Sequence, residues 1–320
     1  MKEKNILVTG GAGFIGSNAV DTLIELGNTV VVYDNLSSGR FSFIEHLTNS
    51  KNFKFVKGNL NDTELLNKTF KENDLDLVVH LAANANIVEG MKNPLIDLNN
   101  GILATHSVLE STRKHDVKDI IFSSTSAVYG NAKIVPTPED YTERSDIMPV
   151  STYAAAKLAS ESMIKRYSDE FGLDYMIYRF ANVVGRNYSH GILLQMVEKL
   201  AKDNAVLEVI GHGRQKRAYV LVNDLINAVI HTYDKRTGSD IFNISTDELL
   251  SVDQVVRRII NRVSKDCIIK YTMDTSALLG DVNETHISNE KLKRSGFVCR
   301  YDSATAVDIT VEHLVERSKR

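Results

Sequence analysis

The chain has 320 residues, a formal net charge of −3 and only two cysteines, with Lys and Arg scattered among acids. That length can bury a large core in one or two domains, and the dispersed charge excludes the basic field that nucleic-acid partners need. No window approaches the ~18 consecutive apolar residues of a membrane span, an apolar strand pattern starts too near Met1 for a signal peptide, and Cys267 and Cys299 are too isolated for a zinc site. A cytoplasmic protein with no metal, no nucleic-acid partner and no membrane contact is expected.

Residues 5–17, NILVTGGAGFIGS, are an apolar run that stops at glycines and restarts with helical spacing. The pattern predicts a strand, a phosphate loop and a helix. Gly10 and Gly13 permit a tight turn and close backbone approach to a pyrophosphate, and Gly16 lets the helix pack on the strand. The N–H groups that open the helix, at Phe14 and Ile15, would face the phosphates. A second strand, Thr29–Asp34, ends in an acid about 20 residues beyond the loop, where a carboxylate accepts hydrogen bonds from the adenosine ribose. Asp34 therefore argues for NAD, since a 2′-phosphate would meet its negative charge; Arg40 is the feature that would suit NADP.

Phe53–Lys57 reads as a third strand, broken at residues 58–62 before a helix from about Thr63 to Lys71. Asn59 and Leu60 in that break would lie beside the adenine. Residues 76–83 form a near-continuous apolar run, as in a central parallel strand whose carboxyl end faces a ligand, so Leu81, Ala82 and Ala83 would pack beneath the cofactor. His80 within it reads as a hydrogen-bonded core histidine, not a catalytic one. Pro94 opens a long helix to about Lys114, and Asp119–Thr125 is another buried strand. The alternation predicts an α/β fold with a Rossmann-type doubly wound parallel sheet, in which residues 1–180 form the dinucleotide-binding domain.

Residues 130–149 hold Pro136, Pro138 and Pro149 and read as a surface excursion and candidate lid. Ser151 or Thr152 caps a helix that carries Tyr153 and Lys157 and runs to about Phe171, followed by a sixth strand, Asp174–Phe180. Residues 181–320 read as a smaller C-terminal α/β substrate-binding lobe, part of whose chain returns to the first domain. Its expected elements are a helix to Lys202, a strand to Ile210, a flexible basic loop from Gly211 to Arg217 able to hold an anion, and a strand from Ala218 to Val222. Helices over 224–233 and 251–264, strands over 241–244 and near 267–273, and terminal helices complete it.

Tyr153 and Lys157 stand at i and i+4 of one helix, so both side chains reach one pocket. A free tyrosine has a pKa near ~10, and an adjacent ammonium with a positive nicotinamide ring would draw it toward neutrality, making Tyr153 a general base. Lys157 would assist electrostatically and hold the nicotinamide ribose. The same pattern is common on surface helices, where tyrosine covers apolar ground and lysine is solvated. Chain order weighs against that here: Thr125 closes the preceding strand at the carboxyl edge, where its hydroxyl can serve the same substrate oxygen.

Taken together, the glycine loop, the run 123–130 (SSTSAVYG) and the run 153–157 (YAAAK) resemble the extended short-chain dehydrogenase/reductase superfamily, and within it the nucleotide-sugar epimerases. The pattern is most similar to the UDP-glucose 4-epimerase group. The likeness runs through residues 34–39 (DNLSSG), 80–83, 179–185, 215–219 and 280–282. It implies NAD contacts at Asn35, Ser38, Gly39 and Ser123 besides those above. It places the catalytic hydroxyl on Thr125, with Ser124 and Ser126 as neighbours one register away, and the base and lysine on Tyr153 and Lys157. Asn182 and Arg217 would hold the diphosphate of a UDP-sugar, and Asp281 would touch substrate. Related 4,6-dehydratases carry an Asp-Glu pair directly after the threonine; here Ser126 and Ala127 follow Thr125, and related decarboxylases carry a glutamate in place of Ala127.

The resemblance thus implies a homodimeric isomerase for UDP-glucose and UDP-galactose, joined through the helices after Pro94 and Thr152. The alternatives are an epimerase of UDP-N-acetylhexosamines or UDP-glucuronate, a dehydratase, or a non-catalytic NAD sensor. Departures from the family pattern fall at Leu278, where an arginine is usual, at Gly101, where an asparagine is usual beside Asn100, and at Asn59, where an aspartate is usual. Thr285 occupies the position that gates the sugar pocket, and its small size leaves N-acetyl sugars open.

Overall fold

A computed structural model describes all residues except 85, 146, 204, 264–266, 273–283 and 319–320. In chain order the elements are β1 (Asn5–Thr9), α1 (Phe14–Glu25), β2 (Thr29–Asp34), β3 (Phe53–Lys57), α2 (Thr63–Asn73), β4 (Leu77–His80), α3 (Ile87–Lys92), α4 (Leu95–Asp97), a π-helical turn (Leu98–Leu103), α5 (Ala104–Lys114), β5 (Asp119–Thr125), α6 (Tyr141–Arg144), α7 (Thr152–Phe171), β6 (Asp174–Phe180) and β7 (Asn182–Val184). Then come α8 (Ile192–Lys202), β8 (Val206–Ile210), β9 (Lys216–Arg217), β10 (Tyr219–Leu221), α9 (Val222–Asp234), β11 (Asp240–Ile244), β12 (Leu250–Ser251), α10 (Val252–Val263), β13 (Ile268–Thr272), β14 (Glu284–Thr285), α11 (Glu290–Arg294) and α12 (Ser303–Ser318).

The chain divides into two compact units. The first comprises Met1–Val128, Ser151–Arg179 and Val229–Phe242, and the second comprises Tyr129–Val150, Phe180–Ala228 and Asn243–Arg320. The first is organised by a seven-stranded sheet in the order β11-β6-β5-β4-β1-β2-β3. Strand β1 pairs in parallel with both β2 and β4, so the chain runs outward one way through β2 and β3 and the other way through β4 and β5. That reversal at β1 and β4 is the crevice where open α/β sheets bind ligands. Buried on both faces, the central strands β1, β2 and β4 are runs of Val, Ile and Leu; Ile6, Leu7, Val8, Leu77 and Val78 have no exposed surface.

Helix ends are fixed locally. Asp62 accepts the Leu65 N–H at the start of α2 and Ser151 accepts the Ala154 N–H at the start of α7, where each supplies an acceptor to an otherwise unpaired donor. Helix α7 stops at Gly172, whose φ of +69° is open to glycine at little cost.

In the second unit β7 pairs in parallel with β10, and β8 with β13. Strand β9 lies between antiparallel β12 and parallel β14. Helix α10 buries Val255, Val256, Ile259 and Ile260 and packs on α8 and α12. The stretch 211–217, expected as a flexible loop, is therefore strand in its last two residues. Among the described residues no helix is long and apolar enough to cross a membrane.

Candidate active site

The loop after β1 is held by its own backbone. Gly10 donates to the Tyr33 carbonyl (2.9 Å), Gly13 to the Gly10 carbonyl (3.0 Å), and Ser17 to the Gly13 carbonyl as α1 begins. Gly10 has φ +69°, and a Cβ there would stand 2.8 Å from the Ala82 nitrogen. The close approach brings the loop against Leu81, Ala82 and Ala83 at the end of β4. Phe14 is buried and Ile15 half-buried in the first turn of α1, and such a helix start is a natural anion seat.

Asp34 closes β2, buried, with one carboxylate oxygen taking the Ala12 N–H (3.0 Å) and the other the Leu36 N–H (2.8 Å). Burial pushes its pKa up, and the two backbone N–H groups oppose that. A Cβ on Gly39 would lie 3.0 Å from both carboxylate oxygens, so glycine keeps that side of the acid open. Asn35 and Ser38, which follow Asp34, and Asn59, after β3, are exposed, while Leu60 is buried. A glycine cradle beside an anchored carboxylate fits NAD: the loop offers N–H groups to a pyrophosphate and Asp34 offers acceptors to ribose hydroxyls.

Three candidate catalytic residues meet across β5 and α7. Thr125 ends β5, half-buried, and its hydroxyl hydrogen-bonds toward the Tyr153 phenol. One turn on, the buried Lys157 ammonium donates to the Ser123 carbonyl (2.6 Å) and lies 4.5 Å from the centre of the Phe122 ring. Ser123 in turn donates to the His80 carbonyl (3.3 Å).

Burial dominates the electrostatics of the phenol. The phenol is pushed up to about 12, by burial first and by the Asp97 carboxylate second, with the Thr125 hydrogen bond working the other way. Lys157 is brought down to about 7, chiefly by burial. The chain's own groups thus hold Tyr153 protonated, and only a further positive charge close to the phenol would reverse the balance. His80 is fully buried between Thr9 (Nδ1 to Oγ1, 2.7 Å) and Thr105 (Nε2 to Oγ1, 3.1 Å), and burial with repulsion from Lys157 lowers its pKa to about 3. It is a neutral core histidine.

Two acids with a bearing on the site escaped the sequence reading. Asp97 is buried, accepts from Thr152 Oγ1 (2.6 Å) and Asn84 Nδ2 (2.9 Å), and faces the phenol. Its only sequence signal is an acid three residues after Pro94, which reads as an ordinary first-turn helix acid. Glu161 is buried one turn beyond Lys157; an acid at i+8 from Tyr153 on an inward helix face was the available clue.

The other candidates belong to the second unit. Asn182, exposed at the start of β7, donates its backbone N–H to the Ala218 carbonyl (3.2 Å), next to Arg217. Arg217 on β9 is the strand partner of Thr285 on β14. The fold thus gathers Asn182, Arg217 and Thr285, whereas Asp281 and Leu278 lie outside the described residues. Gly101, in the π-helical turn, faces α7: a Cβ there would stand 2.9 Å from the Ala156 Cβ.

A seven-stranded sheet with a glycine-rich β1–α1 turn and a Tyr-Lys pair one helical turn apart is the extended short-chain dehydrogenase/reductase architecture. The sequence model described as "NAD dependent epimerase/dehydratase family" matches residues 6–245; the chain belongs to this family and is an NAD-dependent epimerase, an isomerase by reaction class. It is 33% identical over 271 residues to UDP-glucose 4-epimerase of Halalkalibacterium halodurans, covering 78% of each chain. Among solved structures, UDP-glucose 4-epimerase of Thermotoga maritima, determined with UDP-glucose, superposes with a TM-score of 0.88 at 31% identity, covering 98% of this chain and 99% of the other. UDP-N-acetylglucosamine 4-epimerase of Methanobrevibacter ruminantium, in complex with UDP-N-acetylmuramic acid, superposes with a TM-score of 0.85 at 29% identity, covering 99% and 100%.

Proposed function

We propose that the chain inverts C4 of a UDP-hexose, interconverting UDP-glucose and UDP-galactose. The observation that carries this reading is the convergence of Thr125, Tyr153 and Lys157 on a strand end whose next residues, Ser126 and Ala127, bring no acid. A dehydratase must move protons at neighbouring carbons and needs such acids; inversion at one carbon does not. NAD, when bound at the glycine loop and Asp34, supplies the acceptor and then the donor of the hydride at C4. Tyr153, assisted by Thr125, takes the proton of the C4 hydroxyl and returns it once the 4-keto sugar has turned over. Lys157 fixes the cofactor's ribose and favours the phenolate.

Because the sugar must turn, the grip has to come from the nucleotide diphosphate. Arg217, with its guanidinium fork, and Asn182, whose backbone bonds the residue after Arg217, are suited to that task, with Asp281 as a further substrate contact. A second reading, a UDP-N-acetylhexosamine substrate, is favoured by one feature: Thr285, the strand partner of Arg217, is small. We also infer a homodimer. Ile87, Val88, Met91, Leu95, Leu98 and Leu103 expose apolar surface along α3, α4 and the π-helical turn, a stretch that single copies of soluble chains seldom leave bare.

The test is incubation of purified protein with UDP-glucose, UDP-galactose, UDP-N-acetylglucosamine and UDP-glucuronate, with chromatography for the 4-epimer and Tyr153→Phe as control. Conversion of UDP-glucose that Tyr153→Phe abolishes is expected. No conversion of any sugar, or full activity in the variant, would sink the mechanism; conversion of the N-acetyl sugar alone selects the second reading. A monomeric mass in solution removes the dimer.

A further inference from the structure

Helix α7 places Tyr153, Lys157 and Glu161 at i, i+4 and i+8, so one face presents a phenol, an ammonium and a carboxylate in sequence. Glu161 is 1% exposed and Arg179 has no exposed surface. Arg179 Nε donates to Glu161 Oε1 (3.0 Å) and its guanidinium nitrogen Nη2 to Oε2 (2.6 Å), a fork-on-carboxylate pair. The Ser124 hydroxyl donates to Oε1 as well. Ser124 immediately precedes Thr125, and Ser123, before it, holds the Lys157 ammonium. The carboxylate is thus tied to β5, to β6 and to the helix that carries the Tyr-Lys pair.

Stability does not explain such a pair. Removing two charges from water is costly, and a well-packed apolar pair of the same volume often serves the fold as well or better. What an apolar pair could not supply is a negative charge one turn from Lys157. The groups that face the ammonium are the Ser123 carbonyl, the Phe122 ring, neutral His80, Glu161 and, through Glu161, the paired Arg179; Asp97 acts on the Tyr153 end. Burial drives Lys157 toward its neutral amine, and the Glu161 carboxylate, four residues on along α7, opposes it.

We propose that Glu161 is a positioning residue whose carboxylate, held by Arg179 and Ser124, is the counter-charge that keeps Lys157 an ammonium beside Tyr153. The inference rests on the reading of Tyr153 and Lys157 given above. It adds a fourth residue that touches no substrate and acts through the lysine.

The experiment is a pH titration of Lys157 in the full-length protein labelled with 13C-lysine, following the 13Cε resonance assigned by its loss in Lys157→Arg. Activity on the converted UDP-sugar is recorded over the same pH range. In Glu161→Gln the lysine is expected to titrate at least one pH unit lower, and the alkaline limb of the activity profile to move down with it. Glu161→Asp, which restores the charge, should recover most of the shift. Ser124→Ala removes a hydrogen bond but no charge and should leave the titration in place. Should Glu161→Gln fail to fold because Arg179 is stranded, Glu161→Gln/Arg179→Met removes both charges, and Lys157 is again expected to titrate low. An unmoved Lys157 in these variants, or an equal shift in Ser124→Ala, overturns the proposal. Because the resonance is read without substrate, absence of sugar turnover would defeat the functional reading and still leave the lysine titration to decide this one.

Discussion

Replacing Gly16 by alanine probes whether the β1–α1 turn works through close packing of backbone on backbone. An alanine Cβ at this position would stand 2.1 Å from the Gly10 carbonyl oxygen, 2.7 Å from the Gly11 Cα and 2.9 Å from the Gly10 carbonyl carbon. Cβ contacts below 3.0 Å are essentially never seen, so α1 must part from the loop by about 0.9 Å. The obstacle is backbone on all three counts and cannot swing aside. Overpacking of this kind costs about 1–3 kcal/mol, which in a unit of this size lowers Tm by roughly 2–12 °C. The same displacement draws the first N–H groups of α1 away from a bound pyrophosphate. Losing one charge-assisted hydrogen bond is worth about 1.5–3 kcal/mol, so NAD affinity should fall about 10- to 100-fold. Thermal unfolding by calorimetry and NAD titration by isothermal calorimetry read the two effects separately. Gly238→Ala, where a Cβ would meet nothing within 4 Å, is the control and should change neither. A folded Gly16→Ala with the parent Tm and NAD affinity would refute the packing argument and with it the loop's role as phosphate seat.

Three further outcomes are expected. Asp34→Ala should weaken NAD about 10- to 100-fold while leaving or improving NADP binding near Arg40, measured by the same calorimetry; unchanged selectivity would remove Asp34 from the ribose site. His80 is held neutral when folded, with a pKa of about 3 against 6.5 when unfolded, so the unfolded chain binds more protons between those values. Stability should therefore fall as pH drops below 6.5, by about 2 kcal/mol at pH 5, and be unaffected above pH 7; denaturant titrations of His80→Gln should lack that slope. Asp97→Asn keeps an acceptor for Thr152 but removes the charge facing Tyr153, so the phenol should ionise at lower pH. Ultraviolet titration against Tyr153→Phe, and a shift of the acid limb of activity to lower pH, check it; an unmoved phenol would reassign the shift to burial alone.

Much of the first unit can be read directly from residue order, for a physical reason. A parallel strand buried on both faces is largely apolar, and Asp119–Thr125 and Asp174–Phe180 are each built on such a stretch, residues 120–122 and 175–178. The phosphate loop is readable because close backbone approach leaves glycine little competition. Short pairings made by distant chain are not: Lys216 and Arg217 become strand only because residues 250–251 and 284–285 flank them, while His212 between glycines signals a loop. The candidate site divides in the same way. Helical spacing brings Tyr153 and Lys157 together, and Thr125 is placed by where β5 ends. The acidity of the phenol depends first on burial and then on Asp97, which arrives from another helix and leaves no signal in the residues around Tyr153. Arg179 and Glu161 illustrate the same limit, since nothing in either segment alone says that the two charges meet.

The π-helical turn at Leu98–Leu103 has two sides with different occupations. Outward it shows Leu98 and Leu103 to solvent. Inward its Gly101 presses on Ala156, the residue that separates Tyr153 from Lys157 along the helix by a single position from the lysine. With no side chain at its contact point, the widened turn lies close against α7. Under the homodimer proposed above, a partner seated on the outer leucines would bear on α7 through this turn, and turnover per molecule would then decline on dilution below the concentration at which the pair separates.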